Sequence, residues 1–212
     1  MFSSAYCSID FVFCLDCSGA MKPIAEKAKE LVRNFFSNAA QYYVNIGSTI
    51  EMIRARLVFF KNDENGAPTV KETNFLEFPE YSDLFFSILE ERYVPSGISG
   101  LPQNGLDALE CAFNSDWVQG RHDRQHVVLI TLSDMIEWSE AQMHKFFNLW
   151  HGINVPNPNH LRLRQKRMAI FAPKGSKYEE LLPHLDRTTF EPIDEDTDFS
   201  SIDFSAFMYT PL

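Results

Sequence analysis

Apolar runs alternate with stripes of apolar residues spaced three and four apart, and each change of period marks a new element. Ile9-Asp10-Phe11-Val12-Phe13-Cys14-Leu15 is apolar except at Asp10, which predicts a strand from Asp10 to Leu15 covered on both faces. Ile24, Ala28, Leu31, Val32, Phe35, Phe36 and Ala39 then recur at helical spacing, with Pro23 in the first turn. Ala55 to Phe60 reads as a second strand, Asp63 to Pro68 as a turn, and Asn74 to Phe78 as a short edge strand stopped by Pro79. Leu84, Phe85, Ile88 and Leu89 set a helix within Glu80 to Arg92. The turn-rich loop Pro95 to Pro102 leads to another, carrying Leu106, Leu109, Cys111, Ala112 and Phe113.

Val127 to Leu132 is the clearest central strand and ends at Ser133-Asp134. A helix with Met143, Phe146, Phe147 and Trp150 follows, then a loop from Gly152 to Asn159, a strand from Arg167 to Ala172, a helix from Tyr178 to Leu185 and an edge strand from Thr188 to Glu191. Asp194 to Asp198 reads as acidic loop. Strand and helix in this alternation predict an α/β fold: three layers, a doubly wound and mostly parallel sheet, and one antiparallel edge strand. Residues 1–212 are expected to form a single domain, with 194–212 as an acidic and aromatic tail.

Charge narrows the functions. With 19 Lys and Arg against 29 Asp and Glu, the net charge is −10, which speaks against nucleic acid or an anionic membrane as partner. The basic stretch Arg162 to Arg167 is the exception, a solvated loop or a docking patch for an acidic partner. The start, Met1 to Tyr6, has no basic and apolar leader, and no run is long enough for a membrane span, so a cytoplasmic protein is expected. Cys7, Cys14, Cys17 and Cys111 lack a disulfide framework and are expected to be reduced thiols. The pair Cys14 and Cys17 has no second pair to complete a zinc site.

Catalytic motifs are missing. His122 and His126 stand four apart, but in the basic turn Gly120 to His126, which predicts a solvent-facing turn rather than a zinc helix. Ser18-Gly19 lacks the glycine pattern of a nucleophile elbow, and Lys174-Gly175-Ser176 lacks that of a phosphate loop. Trp117, Trp138 and Trp150 fit packing or rim positions. No enzyme is expected.

The chemistry is concentrated at strand ends. In a parallel sheet the carboxyl ends share one rim, so the loops bearing Asp16 and Ser18, Ser96 and Ser99, and Ser133 and Asp134 can converge there. Hard oxygens in such a rim suit a divalent cation. Each residue also has a plain role: Asp16 and Ser18 could cap a helix or accept a backbone N–H, and Asp134 could cap the helix near Ser139 or end a strand.

Asp16-Cys17-Ser18-Gly19-Ala20-Met21 and Ser133-Asp134 resemble the first and third loops of the metal-ion-dependent adhesion site of von Willebrand factor type A domains. That site uses a D-x-S-x-S loop, a Thr or Ser from a second loop and an Asp from a third. The likeness is closer to a bacterial branch of conflict and stress-response systems, including tellurium-resistance-like operons. The matching landmarks are Asp16 to Pro23, Phe60-Lys61-Asn62-Asp63, Thr73-Asn74-Phe75-Leu76, Gly97 to Leu109, Ser115-Asp116-Trp117 and Ser133-Asp134.

The resemblance implies metal ligands Asp16, Ser18, Ser99 and Asp134, with Ser96 and Ser133 as additional candidates, holding Mg²⁺ or Mn²⁺. It further implies a protein partner whose Asp or Glu completes the metal shell, in a bacterial antiviral-defence or stress-response assembly. The chain departs from the branch at Ala20, Gly100 and Gln103, where a hydroxyl, an Asp and a Glu are replaced. The alternative is a metal-free scaffold of the same fold, docking its partner through surface loops or helices.

Overall fold

The computed structural model describes residues 6–63, 65–120, 122–162 and 165–208. Met1 to Ala5, Leu163 and Arg164 of the basic stretch, and the tail beyond Met208 lie outside the described residues.

A seven-stranded sheet runs in the order β3-β2-β1-β5-β6-β7, with β4 also paired to β2. Its strands are β1 Tyr6–Asp16, β2 Thr49–Asn62, β3 Pro68–Glu72, β4 Leu76–Phe78, β5 Arg124–Ile130, β6 Lys166–Ala172 and β7 Thr188–Pro192. β1 is parallel to β2 and β5, and β6 is parallel to β5 and β7. β3 and β4 are antiparallel to β2, so the antiparallel edge is built from two short strands. β3 has only Val70 as a large apolar residue and escapes a reading based on apolar runs.

The helices are α1 Ala25–Asn45, α2 Ser82–Arg92, α3 Gly105–Phe113, α4 Glu140–Trp150 and α5 Phe204–Met208. Alternation along β1 divides the interior. Ile9, Phe11, Phe13, Leu15 and Cys17 face a core shared with Leu31, Phe35 and Phe36 of α1, Phe85 of α2 and Phe204 and Phe207 of α5. Val12 and Cys14 face the opposite core with Leu106, Leu109 and Phe113 of α3 and Phe146 and Trp150 of α4. Cys14 and Cys17 therefore lie in different cores, and all four cysteines are free thiols. Trp117 and Trp150 are buried packing residues. Ser139 begins α4 with a capping box: its Oγ accepts the Gln142 N–H and its own N–H bonds Gln142 Oε1 at 2.9 Å.

Several expectations are corrected. Pro23 sits in a 3₁₀ turn, Gly19–Ile24, that precedes α1. The segment expected as a helix from Tyr178 to Leu185 is a 3₁₀ turn, Glu179–His184, with Pro183 inside it. His126 is not in a solvent-facing turn; it is buried in β5, its Nε2 2.9 Å from Tyr43 Oη and its ring stacked on Phe11. The basic stretch is also largely internal. Lys166 Nζ donates to the Trp150 carbonyl, lies 4.0 Å from the Trp150 ring centre and pairs with Asp186, and Arg167 is buried beside it. Among the described residues only Arg162 of that stretch is exposed. No helix among the described residues is long and apolar enough to cross a membrane.

Candidate functional site

From β1 the chain crosses through α1 to β2 on one side and later returns as β5 on the other, so strand order reverses between β1 and β5. At such a switch point the loops leaving the two strands part in opposite directions and open a crevice at the carboxyl rim. The register sets what meets there. Leu15 pairs with Ile130 and Asp16 with Phe60, so Asp16 of β1 and Thr131, just beyond β5, stand at the same level.

Asp16 is fully buried. Its Oδ1 accepts the Ser18 N–H at 2.7 Å and its Oδ2 accepts the Thr131 hydroxyl at 2.7 Å. Thr131 Oγ1 in turn accepts the Ser133 N–H at 2.9 Å, and Ser133 Oγ lies 3.2 Å from Ser18 Oγ. Asp16, Ser18 and Ser133, three of the residues expected at the site, are thus joined through Thr131, which the sequence reading assigned only to the strand. Ser18 stands at the N-cap of the following 3₁₀ turn but makes no side-chain cap bond. Its hydroxyl faces Ser133 instead.

Asp134 is half-buried and turned differently. Its Oδ1 accepts the N–H groups of Met135 and Lys177, each at 2.8 Å. With Ser133 it lines a cleft of about 340 Å³ closed by Gly100 to Pro102 and Pro173 to Ser176. Ser176 Oγ is buried there with no hydrogen-bond partner. The second loop splits: Ser96 Oγ accepts from Lys61 Nζ at 3.0 Å, whereas Ser99 is exposed and bonds neither Asp16 nor Ser18. Gln103 bridges to Met135, and its Oε1 accepts the Asn62 N–H. Gln103 therefore serves as a backbone brace.

Gly19 brings the first and second loops together. A Cβ there would fall 2.3 Å from the Gly97 carbonyl oxygen, so only glycine admits this approach. The Ser96 N–H donates to the Cys17 carbonyl at 2.9 Å in the same contact.

Burial raises both β1 carboxylates, Asp10 and Asp16, and of the two only Asp10 has a cationic partner to oppose it. Burial pushes the Asp16 carboxyl above the usual carboxylate range, opposed by the hydrogen bonds from Ser18, Thr131 and Ser133, and no cationic side chain contributes. Asp10, equally buried in the same strand, has Arg54 across both oxygens at 2.9 and 2.7 Å. Among the described residues no three His, Cys, Asp or Glu side chains gather as metal ligands. A cation here would have to take hydroxyl oxygens beside the carboxylates.

No protein-family model and no curated protein sequence matches the chain. Among solved structures it is similar to proximal thread matrix protein 1 from the mussel byssus, with 12% identity and a TM-score of 0.54 over 93% of this chain and 46% of that one. The pilus adhesin SpaC from Lactobacillus rhamnosus GG, in its open conformation, aligns at 14% identity and a TM-score of 0.41 over 66% of this chain and 17% of that one. The chain spans less than half the length of the mussel protein. At these identities the mussel likeness speaks for the fold alone.

Proposed function

We propose that the chain is a non-enzymatic protein-interaction module of the von Willebrand factor type A kind, holding Mg²⁺ or Mn²⁺ at the rim between β1 and β5. A partner protein contributes an Asp or Glu that completes the ion's shell. The observation that carries this reading is the uncompensated Asp16 carboxylate, buried among hydrogen-bond donors with no cation, while Asp10 has Arg54. A hard divalent ion is the group that offsets such a buried charge, and neutral hydroxyls are its natural companions.

Asp16, Ser18 and Asp134 would hold the ion, with Ser133 beside Ser18 and Ser99, or Ser96, supplying the second loop's oxygen. The unpartnered Ser176 Oγ in the adjoining cleft fits a rim that receives a polar ligand. The ion, when bound, supplies an electrophilic centre for a carboxylate. Ala20, Gly100 and Gln103 remove oxygens, so affinity should fall below that of a full ligand set, with water filling the gaps. No histidine lines the cleft, which favours binding over hydrolysis. The motif resemblance supports a role in a bacterial defence or stress-response assembly, and the sequence reading adds the expectation of a cytoplasmic protein.

Calorimetric titration of the whole chain with Mg²⁺ and Mn²⁺ tests this reading. One-site heat that Asp16→Ala abolishes is expected. A silent titration would support the second reading, a metal-free scaffold, which is favoured by the engagement of Asp134 Oδ1 with backbone N–H groups and by the outward position of Ser99.

A further inference from the structure

On the other side of the Asp16–Ser18 loop lies a second pocket, of about 380 Å³, lined by Cys17, Phe59, Phe60, Lys61, Thr69, Lys71, Arg92 and Val94. Strand alternation builds it. Phe59 pairs with Lys71 and Lys61 with Thr69 across the β2–β3 ladder, so these four side chains share one face, the face that Cys17 continues from β1. Arg92, the last residue of α2, and Val94 close it from above.

Among the described residues three cations line this pocket and no carboxylate does. Elsewhere in this acidic chain the cations are mostly answered: Lys29 and Arg33 by Glu90, Arg54 by Asp10, Arg56 by Glu72, Lys145 by Glu110 and Lys177 by Glu137. Among the described residues Lys71 and Arg92, both exposed, form no ion pair, and Lys61 has only the neutral Ser96 hydroxyl. Screening over roughly 8 Å at physiological salt leaves this local positive field largely independent of the chain's net charge.

The surroundings identify what the pocket receives. Val94, Ile98 and Leu101 are 61%, 64% and 53% exposed, and all lie on the loop that runs from the pocket to the cleft beside Asp134. Apolar side chains around clustered cations match a polypeptide carrying both apolar and acidic residues better than a small free anion.

We propose that the pocket bounded by Lys61, Lys71 and Arg92 takes the carboxylate side chains of an acidic, apolar-flanked segment of the protein partner, next to the loop where the metal-bridged contact is placed. The inference rests on the reading of this rim as a partner-binding surface, but it does not require the metal.

NMR titration of the isotopically labelled whole chain in EDTA, using a capped peptide of alternating Glu and Leu, its Gln counterpart and inorganic phosphate, tests it. Saturable shifts at Lys61, Lys71, Arg92 and Cys17 with the Glu peptide, weak shifts with the Gln peptide, and a loss of about tenfold in affinity in Lys71→Glu and Arg92→Glu are expected. Both substitutions are at exposed positions, and the unchanged spectrum of the rest of the chain checks their fold. Equal binding of the Gln peptide, no shift at these residues, or saturation by phosphate with none by the Glu peptide would overturn the proposal. Because EDTA is present throughout, a silent calorimetric titration with Mg²⁺ removes the metal bridge alone, whereas a flat peptide titration removes the pocket alone.

Discussion

Ser18 and Ser133 face each other with their hydroxyl oxygens 3.2 Å apart, and this contact closes a ring of hydrogen bonds that runs from Asp16 through Thr131 to the loop after β5. The ring joins adjacent strands at the point where sheet order reverses. Its strength depends on charge, because its anchor is a buried carboxylate.

Thr131→Val keeps the shape of the side chain and removes the donor to Asp16. A loss of about 1–3 kcal/mol in stability at neutral pH is expected, the usual cost of leaving a buried polar group unmatched. Asp16 itself is held above the usual carboxylate range by burial. The native chain therefore keeps its proton to higher pH than the unfolded chain, and stability contributed by this group is lost as pH rises through the raised value. Asp16→Asn lacks that loss, so in EDTA it should gain on the wild type as pH rises from 4 to 8. Urea unfolding at several pH values measures the difference; a constant gap would contradict the assignment.

Gly19→Ala puts a methyl group against the Gly97 carbonyl, a backbone atom that cannot swing aside. Parting the two loops should cost about 1–3 kcal/mol, the range for overpacked sites. Hydrogen exchange should quicken at Ser96, whose N–H donates to Cys17. Unaltered protection there would mean that the loops do not depend on this contact.

Arg54→Ala strands Asp10, leaving the Val118 N–H as its remaining strong donor. Removing one partner of such a buried pair costs about 3–5 kcal/mol. Thermal denaturation should show the fall, and Asp10→Asn in the same background should recover part of it. A double variant as unstable as the single one would show that the loss comes from Arg54's packing on Phe75, 4.5 Å away, rather than from charge.

Much of the sheet is legible in the sequence because burial on both faces demands continuous apolar residues. β1, β5 and β6 announce themselves in this way. β3 does not, since an edge strand needs few apolar side chains, and Pro68-Thr69-Val70-Lys71-Glu72 reads like the turn before it. His126 misleads for a related reason. It lies near the start of a strand where polar residues are satisfied by distant partners, His126 by Tyr43 and Gln125 by Val118 and Arg162. At the rim, Asp16, Ser18 and Ser133 stand out as polar residues ending apolar runs. Thr131 hides inside such a run, and only the register of β1 against β5 reveals it. Lys61, Lys71 and Arg92 come from separate elements, and no local pattern unites them.

His126 provides a second pH test of opposite sign. Burial drives its imidazole down to about 3, aided by Arg167 and Arg124, so it is neutral in the native chain while the unfolded chain takes up a proton below about 6.5. Stability from this group is complete above that value and is lost as pH falls toward 3. Between pH 7 and pH 5 the wild type should lose about 2 kcal/mol that His126→Phe does not. The comparison is of slopes, because the substitution also leaves the Tyr43 hydroxyl unbonded. A His126 ring signal that titrates near pH 6.5 in the folded protein would refute it.

Asp16 and Thr131 owe their spacing to neighbouring strands, not to the loops beyond them. The frame of the rim is therefore insulated from its fittings: residues 20 and 99 can be exchanged without shifting the two oxygens that anchor it, whereas Gly100, at φ +83°, resists a side chain. Ala20→Ser becomes a graft onto a rigid mount, and if the proposed cation reading holds, this chain is a chassis on which affinity can be dialled by decorating its loops.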